Sequence, residues 1–356
     1  MIPNFFFRKE MAEYDLGSDH PLRPERLLQT VELLRDENAV EPIIPEPASR
    51  KHLQLVHSDE YINAVIEAGS SRGDPHRFLK YGLGTGDVPI MPGMHEFCLW
   101  YVGGSAAAAQ AVLDGERLAF NISGGLHHAQ RSLASGFCVY NDPAIVIAML
   151  LQKFERVAYV DIDLHHGDGV QALFYHNPNV MTISIHESGE TLYPGTGFTD
   201  DVGTGQPHCV NIPLEAGTTG DVWLDAFRHV VPSVLKRFDP KAIVLQMGCD
   251  PHFTDPLGHL NVTAQEWLEA VRLIKSVDVP MVVCGGGGYD LRNVARMWAA
   301  ACMTLEDIEF GPELPAKWQR ELRMPSYFDA SLPVPRERGR AYAERRIQEL
   351  QERFEI

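Results

Sequence analysis

The densest chemistry in this 356-residue chain lies at Asp161-Ile-Asp163-Leu-His165-His166-Gly-Asp168-Gly169, where three carboxylates and two imidazoles fall within eight residues. An apolar run, VAYV, leads into it. Burying so many ionisable groups near a core is expensive unless they are paired or hold a cation. On an extended strand Asp161, Asp163 and His165 share one face, so they can converge on one point. Asp-x-His offers a hard oxygen and an imidazole nitrogen, a donor pair suited to Zn²⁺ or Fe²⁺. A charged loop after a strand is the plain alternative, and burial without a cation weighs against it.

A catalytic metal of this kind needs a third protein ligand and an open position. Asp255, in GCDPHFTDPLG after the apolar run AIVLQM, is the best candidate. Asp250 and His252 compete with it, and spacing alone does not choose; Asp250 reads more naturally as a turn or cap carboxylate. His127 and His128 follow two glycines, which let the backbone approach a ligand closely. Imidazoles there can serve as general base and acid near neutral pH, with Asp161 and Asp168 to orient them. Four glycines then precede Tyr289. Nothing after them matches a phosphate loop, so the run is either a plain turn or one that presents a phenol to a developing oxyanion. HPLRPER reads as a rigid entry to a helix with Arg26 as a loop anchor, and Phe137, in Gly136-Phe137-Cys138, reads as core or pocket wall.

These groups need elements to position them. Apolar runs at 117–122, 156–163, 180–186, 242–247 and 280–284 read as strands. Helical patterns at 103–113, 143–154, 169–175, 263–276 and 293–305 lie between them. Apolar strands alternating with helices predict an α/β fold with a mainly parallel central sheet covered on both faces. Four of the strands run straight into the Gly- and His-rich segments, and ligands in such sheets bind beyond the carboxyl ends of the strands. From 319 to 340 the prolines Pro325, Pro333 and Pro335 break any long helix, and a charged helix over 339–354 presents Ala343, Ile347, Leu350 and Phe354 on one stripe. That helix is expected to dock on the body.

With 31 Lys+Arg against 48 Asp+Glu, the net charge is −17. A chain this acidic is a poor partner for a phosphate backbone, so no direct nucleic-acid binding is expected. An acidic surface attracts cations instead. Hydrophobic residues at 45% are enough for a core without disulfides, and the six scattered cysteines read as reduced core residues of a cytoplasmic protein. The first residues carry too short an apolar run for a signal peptide, and no run reaches membrane-spanning length.

Taken in order, HPLRPER, LVHSDEYI, GTGDVPIMPGMHEF, SGGLHHA, SGFCVYND, YVDIDLHHGDGVQALFY, SIHESGETLYPGTG, GCDPHFTDPLGHLNVT and GGGGYDLRNVARMW cover most of residues 14–305. Through them the chain resembles the zinc-dependent histone deacetylase family, particularly its bacterial and acetoin-utilisation branch. The resemblance implies a single-domain arginase/deacetylase fold, with residues 1–310 as the catalytic domain and 311–356 as an extension packed on it. It implies hydrolysis of an acyl-lysine-like amide, with Asp163, His165 and Asp255 as metal ligands. His127 and His128 would be the catalytic pair, Asp161 and Asp168 their carboxylates, and Tyr289 the group that polarises the acyl carbonyl. Asp87, Gly136, Phe137, Tyr193 and Val262 would contact substrate, with Arg26 behind the tunnel. The family also binds potassium, here implied near Asp161, Asp163, His165 and Ser184 and near Phe174. The second tunnel wall is usually Phe, where this chain has Tyr193, and the C-terminal segment matches only loosely.

Three rival functions use overlapping residues. A deacetylase of polyamines or other small amides would need the same machinery and differ at the rim. An arginase-like ureohydrolase would need a two-metal carboxylate set, which DIDLHHGD and GGGGY fit less well. A non-catalytic acyl-lysine binding module would have lost catalytic positions that are all present here.

Overall fold

The computed structural model describes residues 1–70, 74–330 and 334–356, so Pro333 lies outside the described residues. Its centre is one parallel sheet of six strands: β1 (Leu118–Asn121), β2 (Val157–Asp161), β3 (Val180–Glu187), β4 (Cys209–Leu214), β5 (Ala242–Gln246) and β6 (Met281–Cys284). Their spatial order is β1-β6-β5-β2-β3-β4, and every pairing is parallel. Five of these strands match the apolar runs read from the sequence. The sixth, β4, carries Asn211 and Pro213, which weaken a strand signal. Proline is tolerated there because β4 lies at the sheet edge, where a missing N–H need not interrupt a ladder.

Alternation along the strands sends side chains into two separate cores. Val160, Ile183, Leu245 and Val283 face one side, packing on the helices Gly220–Phe238, Ala264–Lys275 and Leu291–Leu305. Tyr159, Val244, Val282 and Cys284 face the other, under the helices Met94–Asp114 and Asp142–Leu150. Both faces being covered explains why the strands read as continuous apolar runs. Helix Gly220–Phe238 escaped the sequence reading, and it contains Pro232, a residue that disfavours a helix interior.

The strand order reverses around β2 and β5, so the loops after β1, β2, β5 and β6 gather at one end of the sheet. This is where ligands bind in open α/β sheets. Beyond residue 310, helix Arg340–Phe354 buries Ala343, Ile347, Leu350 and Phe354 against helix Gly220–Phe238 and β4. Among the described residues, no helix is long and apolar enough to cross a membrane.

Candidate active site

Strand β2 ends at Asp161, two residues earlier than the periodicity predicts. The acidic groups therefore converge through turns and not through strand alternation. Asp161 Oδ1 accepts the N–H of Asp163 (3.0 Å), and Asp163 Oδ1 accepts the N–H of His165 (3.0 Å). Each carboxylate thus folds the chain back two residues and points the next side chain into the cleft, as Asx turns do.

His127 and His128 sit in the turn after β1. Nδ1 of His127 contacts Asp161 Oδ2 at 2.7 Å, and Nδ1 of His128 contacts Asp168 Oδ1 at 2.7 Å. Their Nε2 atoms face each other at 3.0 Å. Burial alone would push both imidazoles down. For His127, the charges of Asp161 and Asp163 outweigh burial and hold it up at about 9. For His128, burial and the neighbouring His127 charge win, pushing it down to about 4. The pair therefore divides into a charged and a neutral ring at pH 7.

The turn itself is clamped by two residues whose role the sequence did not disclose. Asp142 accepts the N–H groups of Gly125 (3.0 Å) and Leu126 (2.9 Å), and Asn141 Nδ2 donates to the carbonyls of His127 (2.9 Å) and Ala129 (2.8 Å). Both stand at the start of helix Asp142–Leu150, where Asn141 also caps by accepting the N–H of Ala144. An Asn-Asp pair opening an apolar run was the available signal.

Asp163, His165 and Asp250 offer ligand atoms within 4.8 Å of one another, as do His127, Asp161 and Asp163. His165 Nδ1 lies 3.2 Å from Asp163 Oδ1 and 3.1 Å from Asp250 Oδ2. Asp255 is not in that cluster; its Oδ2 accepts the N–H of Tyr289 (2.7 Å) and its Oδ1 that of Leu257 (3.1 Å). It is close enough to Asp250 to feel its charge. Burial and that charge raise Asp255 to about 7, while burial and the charge of Asp163 raise Asp250 to about 6. His165 is held up at about 10, its two carboxylate contacts outweighing burial. Asp163 and Asp250 against His165, with the charge of Asp250 felt by Asp255, form a donor set that a divalent cation fits. His252 is occupied elsewhere, bonded to Asp329.

A further unpredicted residue, Gln246 at the end of β5, donates to Asp163 Oδ2 (2.7 Å), and the N–H of Gly287 donates to the same oxygen (2.7 Å). The glycine run after β6 allows this approach, since a Cβ at Gly287 would strike the carboxylates of both Asp250 and Asp163. Arg26, buried, donates to the carbonyls of Gly286 (2.8 Å) and Gly288 (3.1 Å) and so braces the turn that carries Tyr289.

A narrow cleft lined by Arg26, His127, His128, Phe137, Asp163 and Tyr289 leads to these groups. Phe137 meets Tyr289 edge-on with ring centroids 5.8 Å apart, and Tyr193, 42% exposed, stands edge-on to His128 at 5.0 Å. The Tyr193 hydroxyl bonds to Ser135 Oγ, which fixes the wall where a Phe would carry no such bond. Gly136 adopts φ 51°, and a Cβ there would strike the His128 ring. Its N–H donates to Asp87 Oδ2 (2.7 Å) at the mouth. Val262 is not among the residues lining the cleft: it is wholly buried in the core, its backbone bridged to His252. Ser184 on β3 is the register partner of Asp161, with its Oγ on His186 Nδ1 (2.8 Å), and Phe174 is buried in the core on the His127 side.

Comparison with known proteins places this site in a family. A histone deacetylase domain matches residues 20–305. The chain is 41% identical to the acetoin utilization protein AcuC of Bacillus subtilis, over 93% of this chain and 92% of that one. It is 38% identical to the histone deacetylase clr6 of Schizosaccharomyces pombe, over 88% and 78%. A crystal structure of an HDAC homologue complexed with SAHA superposes with a TM-score of 0.89 at 28% identity, covering 98% of this chain and 99% of the other. A second, of an HDAC homologue from Aquifex aeolicus, agrees equally well. With its parallel sheet, its paired histidines and its buried Asp/His cluster, the chain belongs to the histone deacetylase family.

Proposed function

We propose that this deacetylase is a zinc-dependent hydrolase that removes acetyl or other acyl groups from lysine side chains. The observation that carries the reading is the facing His127–His128 pair, each ring on its own carboxylate, beside the Asp163–His165 cluster and Tyr289. Asp163, His165 and Asp255 would hold the ion, which supplies Lewis acidity toward the acyl carbonyl and lowers the pKa of bound water. Fe²⁺ suits the same donors.

The chain's own groups account for the proton traffic. His128 is neutral at pH 7 and receives the proton of the attacking water at Nε2; His127, already charged, stabilises the developing negative charge and returns a proton to the leaving amine. Tyr289 keeps its phenolic proton, since burial raises it well above 10, and donates it as a hydrogen bond to the oxyanion. Phe137 and Tyr193 wall the side-chain tunnel, and Asp87 receives substrate N–H groups at the mouth.

The mouth also carries Asp19 beside Asp87, which favours a cationic partner. A lysine-rich peptide and an acetylated polyamine both satisfy that, so the polyamine or small-amide reading stands second. Metal-loaded protein assayed on acetyl-lysine peptides, longer acyl-lysine peptides and acetylated polyamines separates them by the best substrate. No acyl release from any of these, with metal bound, would refute hydrolysis and revive a binding role. A structural potassium ion beside Asp161 and Ser184 belongs to the same proposal, because the buried carboxylates here outnumber the nearby cations. Cytoplasmic residence is supported by six buried free thiols.

A further inference from the structure

The segment after residue 310 contributes a buried side chain to the catalytic end of the sheet. Asp329 Oδ1 accepts from Arg296 Nη2 at 2.7 Å, and its Oδ2 accepts from His252 Nε2 at 3.0 Å and from the N–H of Ala264 at 2.8 Å. All three side chains are almost wholly buried, with Arg296 at 0% and Asp329 at 4% exposure. His252 stands between Asp250 and Asp255 in a stretch with no helix or strand of its own. Its other nitrogen, Nδ1, accepts from Asn293 Nδ2 at 3.1 Å. Asn293 Nδ2 also donates to Thr254 Oγ1 (2.5 Å), and Thr254 Oγ1 donates to Asp290 Oδ2 (2.6 Å). Asp290 directly follows Tyr289, whose N–H is held by Asp255. Contacts therefore run without a gap from Asp329 to both groups that meet the acyl carbonyl and the ion.

We propose that Asp329 is a positioning residue: through His252 it fixes the 250–255 loop, and through Asn293 and Thr254 it sets Tyr289 against Asp255. For its activity readout this rests on the hydrolase reading; for its metal readout it does not. Charged groups outside a ligand set commonly tune the ligands in this way, and their loss lowers affinity or activity 10–100-fold. The C-terminal extension then completes the active site as well as packing on the body.

Truncating Asp329 to Ala would leave a cavity and take from the buried Arg296 guanidinium the oxygen that it bonds, which destabilises any fold. The test therefore uses Asp329→Asn, which removes the charge but keeps the volume and an oxygen for Arg296, and Asn293→Asp, which keeps the shape and the oxygen bonded to Arg296 but loses the donor shared by His252, Thr254 and Asp290. Loss of Co²⁺ from the loaded protein to a chelator is followed by its visible absorption, beside kcat, KM and the melting temperature of the metal-free protein. Asp329→Asn should release the ion about 10–100-fold faster and lower kcat by a similar factor with KM little changed. Asn293→Asp should lower kcat roughly tenfold, with KM little changed and ion release like that of the parent. An Asp329→Asn protein that melts earlier but keeps the parent's ion release and kcat overturns the proposal. If that variant does not fold, an unaltered kcat in Asn293→Asp overturns it. Absence of acyl release by the loaded parent would sink only the hydrolase reading, since ion release still decides Asp329; a parent that takes up no ion sinks both.

Discussion

The Nε2 atoms of His127 and His128 meet at 3.0 Å, while their Nδ1 atoms lean on different carboxylates, Asp161 and Asp168. With each Nδ1 donating to its carboxylate, the two Nε2 atoms share one proton, held on His127. Adjacent residues of the same type thus acquire different chemistry from the charges behind them. His128→Gln removes the acceptor and should lower kcat by about 10²–10⁴-fold with the fold intact. Steady-state rates beside a circular dichroism spectrum would check this, and a near-parent rate would take the base role away from His128.

Tyr289→Phe deletes one hydroxyl and leaves the ring against Phe137. The expected loss is about 10²–10³-fold in kcat, the usual effect of removing one oxyanion donor. Little change in KM would accompany it if the bond forms mainly in the transition state.

Asp250 and Asp255 make opposite predictions about the ion. Asp255→Ala should abolish stoichiometric zinc and activity together, whereas Asp250→Ala should weaken zinc binding while retaining some, because Asp250 chiefly orients His165 and the N–H of Leu164. Zinc content by atomic emission decides. A zinc-free Asp250→Ala beside a zinc-replete Asp255→Ala would reverse the assignment.

His57 is buried and pushed down from 6.5 to about 4, with Nδ1 on the carbonyl of Gln130 and Nε2 accepting the N–H of Asn141. In the unfolded chain it takes up a proton near 6.5, so between about 4 and 6.5 the unfolded state binds more protons. Its contribution is fully present above 6.5 and is lost as the pH falls through 4, about 3 kcal/mol in all. Urea melts across that range should show a shallower pH slope for His57→Gln than for the parent. Parallel slopes would mean that His57 does not carry the acid sensitivity.

Potassium should stabilise the protein over tetramethylammonium at equal ionic strength, by about 2–3 kcal/mol at a hundredfold excess over its dissociation constant. Identical melts in the two salts would remove the ion from the account of Asp161 and Ser184.

Much of this was legible in the sequence because it is local. Four strands ending in SGGLHHA, DIDLHHGDG, MGCDPHFTD and CGGGGY announce a ligand site wherever the sheet places their ends, and apolar alternation with helices announces the parallel sheet. Residue type alone marked His127, His128, Asp163, His165 and Tyr289. What pairs with what was not local. Gln246 lies 83 residues from the Asp163 oxygen it donates to, and Asp329 lies 77 from His252. Val262, by contrast, follows a site motif in sequence yet is turned into the core.

The amino-acid sequence by itself therefore determined the chemistry available: the ligand types, the imidazole pair, the phenol and the sheet that carries them. Tertiary structure decided how that chemistry is divided. It gave His127 two nearby carboxylate charges and left His128 beside the charge of His127, so one ring holds a proton and the other accepts one. It set Asp163 and Asp250 against His165, and it brought Asp329 from the far end of the chain to the loop between Asp250 and Asp255. Protonation and position depend on distance and burial, and in a folded chain both are set by residues remote in sequence.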